Sequence, residues 1–171
     1  MNFHGKDDIT MFVTHLFEPV FDNESRILIL GTMPSPKSRE LGFYYGHPRN
    51  RFWPVMADVL GEVYPETTED KIAFCRRNHI AVWDVLKSCE ITGADDNSIK
   101  NPVPNDMNEI LAHAPIKAIF ATGTKASTLY QKYCYPLTGI PIIKLPSTSP
   151  ANCGTSYEKL RAAYCEILGY L

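Results

Sequence analysis

Continuous apolarity in four short runs, each ending in a turn or a loop, leaves few folds open to this chain. The runs are Arg26–Leu30 before Gly31-Thr32-Met33-Pro34-Ser35, His79–Trp83 before Asp84, Lys117–Ala121 before Thr122-Gly123, and Pro141–Leu145 before Pro146-Ser147-Thr148-Ser149-Pro150. None alternates polar with apolar, so they suit strands covered on both faces. Helical patterns separate them. Phe52–Leu60 carries a one-sided stripe at Phe52, Val55, Met56, Val59 and Leu60, and Thr68–Asn78, Asn105–His113, Thr124–Tyr133 and Ser156–Leu168 read as further helices. Ile9–Phe17 reads as one more before the first strand. This alternation predicts an α/β fold, a parallel sheet wrapped by helices.

At 171 residues, without a repeat, a low-complexity tract or a linker, the chain is expected to form a single domain over residues 1–171. Its formal charge of -2 supplies no global positive field, so a nucleic-acid partner has to be met by a local patch. No apolar stretch approaches the roughly 18 residues of a membrane span, and Lys6, Asp7, Asp8, Glu18, Asp22 and Glu24 interrupt any leader. Neither a membrane partner nor a signal peptide is expected. Cys75, Cys89, Cys134, Cys153 and Cys165 show no C-x-x-C pair, and His4, His15, His47, His79 and His113 are scattered. They read as reduced, mostly buried thiols in a cytoplasmic protein with no metal site and no cofactor. Thr92–Asp106, rich in Gly, Asp, Asn and Pro, reads as a long polar loop and a candidate lid.

In open parallel sheets ligands sit beyond the carboxyl ends of the strands, and every unusual loop of this chain falls on that rim. Between the first strand and its helix lies Gly42-Phe43-Tyr44-Tyr45-Gly46-His47-Pro48-Arg49-Asn50-Arg51-Phe52-Trp53. From Lys37 to Arg51 four cations stand against Glu40, a local charge of +3. Cations interleaved with aromatic rings suit a phosphate backbone and a stacked base. Phe52 and Trp53 suit the core better, whereas Tyr44 and Tyr45 fit either place.

Three segments together resemble the uracil-DNA glycosylase superfamily, above all its hypoxanthine-DNA glycosylase and mismatch-specific branches. They are Gly31-Thr32-Met33-Pro34-Ser35, Tyr45-Gly46-His47-Pro48-Arg49-Asn50-Arg51-Phe52-Trp53 and Leu145-Pro146-Ser147-Thr148-Ser149-Pro150-Ala151-Asn152. The resemblance implies a three-layer α/β/α sandwich around a four-stranded parallel sheet. It also implies a monofunctional glycosylase of base-excision repair, a monomer acting on double-stranded or single-stranded DNA that contains a deaminated base. Such an enzyme flips the nucleotide out of the stack and hydrolyses its N-glycosidic bond, leaving an abasic site. Tyr45 matches the aromatic residue stacked on the extruded base. Ser147 matches a serine on a DNA phosphate, and the residues after it, Ser149 to Asn152 with Thr148, match the part that enters the duplex. Arg49 and Arg51 are candidate phosphate contacts.

The chain departs from the family pattern at several positions. Many members carry Asp or Asn where Met33 stands, and methionine accepts no proton. Asn50 is the nearest competent amide, with water positioning and charge stabilisation as its work; capping of the helix that starts near Phe52 is the alternative. Some relatives have histidine where Leu145 stands, which moves leaving-group stabilisation to backbone N–H groups near Thr32 and Met33. Thr122 occupies a place where relatives read the base with Asn. Ser35 replaces a tyrosine that walls off the pocket in uracil-restricted relatives, so hypoxanthine is the expected base, with uracil or xanthine secondary. Asp84, Asp95 and Asp96 are possible proton acceptors, with helix capping and loop solvation as alternatives. A noncatalytic DNA-binding module on the same fold is the competing function. A small-molecule α/β hydrolase using Ser35 or Ser147 lacks the G-x-S-x-G elbow.

Overall fold

The computed structural model describes residues 9–171. His4, Lys6, Asp7 and Asp8 lie outside them. The first element, β1 (Thr10–Thr14), is a strand where Ile9–Phe17 reads as a helix. Only Val13 of β1 is buried, so no apolar periodicity marks it. The β-branched and aromatic run Thr-Met-Phe-Val-Thr instead follows strand propensity once a partner edge exists.

The four apolar runs form β2 (Ile27–Gly31), β3 (Ile80–Asp84), β6 (Ala118–Thr122) and β7 (Ile142–Leu145). They make one parallel sheet in the order β3-β2-β6-β7. Every residue of β2 and β3 is buried, as continuous apolarity requires of strands covered on both sides. The chain leaves β2 to build β3 on one side and later β6 on the other. The ends of β2 and β6 are therefore the switch point of the sheet, where such sheets hold ligands.

Helices flank this sheet, giving the expected α/β layering. They are α1 (Pro36–Leu41), α2 (Phe52–Leu60), α3 (Thr68–Arg77), α4 (Asn108–Leu111), α5 (Thr124–Tyr133), α6 (Tyr135–Thr138) and α7 (Tyr157–Tyr164), the last continued by a 3-10 segment, Cys165–Tyr170. Of the expected stripe of α2, Phe52, Val55 and Met56 are buried and Val59 and Leu60 half-buried, with Trp53 and Ala57 buried beside them, and Gly61, at φ 65, ends the helix in the left-handed conformation that glycine adopts without cost. Expected Asn105–His113 shortens to α4 because Asn105 is used elsewhere. Its backbone N–H donates to Val85 O at 2.8 Å and its side chain to Asp84 O at 3.0 Å.

The polar stretch Thr92–Asp106 is not a loop. It forms β5 (Asp95–Pro104), the partner of β4 (Leu86–Thr92), and the two join β1 in an antiparallel sheet of order β1-β4-β5. An exposed edge strand needs no apolar alternation and tolerates prolines such as Pro102 and Pro104, so its sequence reads as loop. The turn itself is only Gly93 and Ala94. Cys75, Cys89 and Cys134 are buried free thiols, while Cys153 and Cys165 are exposed. Among the described residues no helix is long and apolar enough to cross a membrane.

Candidate active site

The rim beyond β2 and β6 is built from the Ser35 end upward. Ser35 caps α1 by accepting from Ser38 N–H at 3.1 Å, with Pro36 in the first turn. Ser38, itself buried, accepts from Gly46 N–H at 2.9 Å and so pins the turn that carries the two tyrosines. Tyr44 turns inward and donates to Glu18 O at 2.8 Å, a core residue. Tyr45 turns to the rim. Its φ of 52° is left-handed, which costs a non-glycine residue about 1–2 kcal/mol and is tolerated where surrounding contacts fix it. Those contacts are a stack on Phe52, centroids 3.9 Å apart, and a hydrogen bond of 3.2 Å with Thr122 Oγ1. Thr122 donates to Leu30 O at 3.3 Å, so the Tyr45 hydroxyl is the donor to Thr122. Burial, with the nearby Asp84 charge second, pushes the Tyr45 hydroxyl well above the usual phenol range. The residue is half-buried.

Asp84 ends β3 directly beside Gly31, its register partner in β2. It is 4% exposed. Its Oδ2 lies 2.7 Å from Nε2 of His15, whose Nδ1 accepts the Phe17 N–H at 3.2 Å. The accepting Nδ1 carries no proton, so the imidazole is neutral and Nε2–H donates to the carboxylate. Phe17 and Tyr44 pack edge-on and tilted against this ring. A Cβ on Gly31 would stand 2.4 Å from Asp84 Oδ1 and 3.2 Å from Tyr45 Oη, so only glycine lets the two side chains converge here. On the other side of the rim Thr32 donates to Asp96 Oδ2 at 3.4 Å, and burial pushes the Asp96 carboxyl upward. The N–H groups of Thr32 and Met33 have no hydrogen-bond partner among the described residues.

Asn50 Oδ1 accepts Phe52 N–H at 2.9 Å. This is an Asx turn just ahead of the helix, whose N-cap position is Arg51 with no side-chain cap hydrogen bond, and it leaves the amide nitrogen and one lone pair of the oxygen unused. Arg51 binds the last loop. Its guanidinium donates to Thr155 O at 2.7 Å and Asn152 O at 2.9 Å, and its backbone N–H to Thr148 O at 3.1 Å. Asn152 closes the same loop, donating to Ser147 O and Thr155 Oγ1. Ser147 Oγ accepts from Ser149 N–H, and Ser149 Oγ from Ala151 N–H. Thr148 is buried. Ser147 thus borders the rim against Gly123, while Arg51 and Asn152 serve as braces of the loop. Leu145 and Met33 pack with the core. Arg49 is exposed.

The two arginines are accordingly expected to separate. Arg49→Ala should flatten the slope of log affinity for DNA against log salt by about one unit. Arg51→Ala should leave that slope nearly unchanged and lower stability by about 2 kcal/mol, the scale of hydrogen bonds from a charged donor. Salt titrations and thermal melts of the two variants check this.

The structure thus gathers Thr32, Met33, Tyr45 and Thr122 at one rim, with Ser35, Asn50 and the Ser147 loop around it. It brings in His15 too, which sequence reasoning passes over because its partner is 69 residues away and its own segment reads as a helix. Asp84 is neither a helix cap nor a solvated loop residue. Among the described residues no group of three or more His, Cys, Asp or Glu is placed to hold a metal ion.

The family model of the uracil DNA glycosylase superfamily matches residues 18–169. A hypoxanthine DNA glycosylase of Methanosarcina acetivorans is 33% identical over 138 residues, 80% of this chain and 86% of that protein. One of Methanosarcina barkeri is 34% identical over 112 residues, 64% of this chain and 71% of that protein. A solution NMR structure from Methanosarcina acetivorans, given a provisional uracil DNA glycosylase name, superposes with a TM-score of 0.77 at 30% identity, covering 92% of this chain and 99% of that one. Sheet order, rim segments and these likenesses agree over nearly all of the sequence, and the chain belongs to the uracil DNA glycosylase superfamily as a DNA glycosylase.

Proposed function

We propose that the protein is a monofunctional glycosylase that removes a deaminated purine, hypoxanthine first, from DNA. The observation that carries the reading is Tyr45, held in a left-handed conformation with its ring on Phe52 and its hydroxyl over Gly31 at the switch point. A half-buried ring fixed in this way offers an extruded base a preformed stacking surface, a contact worth about 1–3 kcal/mol. The unpartnered N–H groups of Thr32 and Met33 are suited to the acceptor atoms of a purine edge and to the charge the departing base develops. Asn50 orients the water with its free lone pair. Support for hypoxanthine comes from the names of the two relatives and from Ser35, a small side chain at the position where uracil-restricted members of the family carry a tyrosine. The protein works as a monomer in the cytoplasm, with uracil and xanthine as secondary bases.

Incubation with duplexes containing deoxyinosine, in EDTA, is expected to give an abasic product that breaks only after hot alkali. A strict need for a divalent metal, or a borohydride-trapped adduct, would overturn the mechanism. Tight duplex binding without release of any base would favour the noncatalytic module.

A further inference from the structure

We propose that Asp84 is the catalytic carboxylate, accepting the proton of the attacking water at Oδ1, and that His15 is the positioning residue that holds Oδ2. This deepens the glycosylase reading and rests on it.

Three observations carry the assignment. The two oxygens of Asp84 are unequal: Oδ2 takes the Nε2–H of His15, whereas Oδ1 has no hydrogen-bond partner among the described residues. That free oxygen lies over Gly31, and the Tyr45 hydroxyl approaches the same point. The chain therefore keeps a glycine under a carboxylate at the end of its central strand. Finally, the buried carboxylate meets a neutral imidazole and no Lys or Arg within ion-pair distance among the described residues. A buried charge without a counter-charge is costly to folding, and at the switch point it marks a functional group.

The other candidates are less suited. Met33 accepts no proton, the amide of Asn50 is a poor base, and Asp96 is engaged with Thr32 while burial favours its neutral form. In the proposed step the water oxygen bonds to C1′ of the deoxyribose as one of its protons passes to Asp84 Oδ1. The C1′–N bond breaks, its electron pair leaves on the base, and the base takes a proton from solvent. Asp84 then releases its proton to solvent. His15 lies upstream of residues 18–169, the span matched to the family, so the pair couples a residue outside that span to the rim.

The test measures single-turnover release of hypoxanthine and affinity for the same deoxyinosine duplex, using the full chain. Asp84→Asn keeps an acceptor for His15, so fold and affinity should persist while the rate falls by at least about a hundredfold, the scale of a general base. His15→Gln, which retains an N–H donor, should keep most of the rate. His15→Leu should lose most of it with unchanged affinity, a split that a purely structural role would not give. Asp84→Asn acting at the parental rate overturns the inference alone. Should that variant not fold, His15→Leu acting at the parental rate does the same. A wild type that releases neither hypoxanthine, uracil nor xanthine overturns the glycosylase reading and this inference with it.

Discussion

Asn50→Ala is expected to lower single-turnover release of hypoxanthine by about a hundredfold, the usual loss for one preorganised polar contact. The same change removes the acceptor of Phe52 N–H, the first residue of α2, and loss of such a local hydrogen bond at a helix start costs about 1 kcal/mol. The two effects separate by size. Such a loss in a folded protein lowers the melting temperature by only a few degrees and leaves the rate of the folded fraction untouched. Asn50→Asp sharpens the comparison, because it restores the acceptor of Phe52 N–H and a second oxygen but removes the amide donor. If alanine lowers stability alone, Asn50 braces the helix start and nothing more. If alanine lowers rate and stability together while aspartate restores both, the oxygen performs both tasks.

Gly31→Ala should have an effect of similar size on rate and a small one on stability. The added methyl would stand 2.4 Å from Asp84 Oδ1, and the carboxylate cannot swing aside without leaving His15. Overpacking of this kind costs about 1–3 kcal/mol, partly offset by the 0.5–1 kcal/mol or so gained when alanine replaces glycine within a strand. The melt should therefore shift modestly. Release of the base should fall by at least about a hundredfold, because the displaced oxygen no longer faces the water. A variant that folds and turns over at the parental rate would show that the convergence of Asp84 and Tyr45 over this glycine is packing without chemistry.

The parallel sheet and α2 are legible in the sequence because burial on two faces and on one face leaves periodic marks. The apolar runs at Ile27–Gly31 and Ile80–Asp84 and the stripe from Phe52 to Leu60 carry them directly. The antiparallel sheet leaves no such mark. Four of the five residues of β1 face solvent, and β5 carries prolines and polar residues along an edge. Within the site, Tyr45, Asn50 and the Ser147 loop are visible because their motifs are contiguous. The pairing of His15 with Asp84 is set by tertiary packing across two sheets, and nothing local in either segment announces it. The bracing role of Arg51 is hidden for the same reason: its carbonyl partners lie 101 and 104 positions away.

That arginine has a thermodynamic consequence for how the protein meets DNA. The loop from Ser147 to Thr155 is tied by Arg51 and Asn152 before any duplex arrives, so little of its conformational entropy remains to be lost on association. Extruding a nucleotide costs a few kcal/mol, and a loop already ordered leaves more of the contact energy to meet that cost. On the proposed function, with this loop as the part that meets the duplex, inspection of undamaged DNA is expected to be brief and weak, with long residence reserved for a nucleotide whose weakened pairing lets it leave the helix.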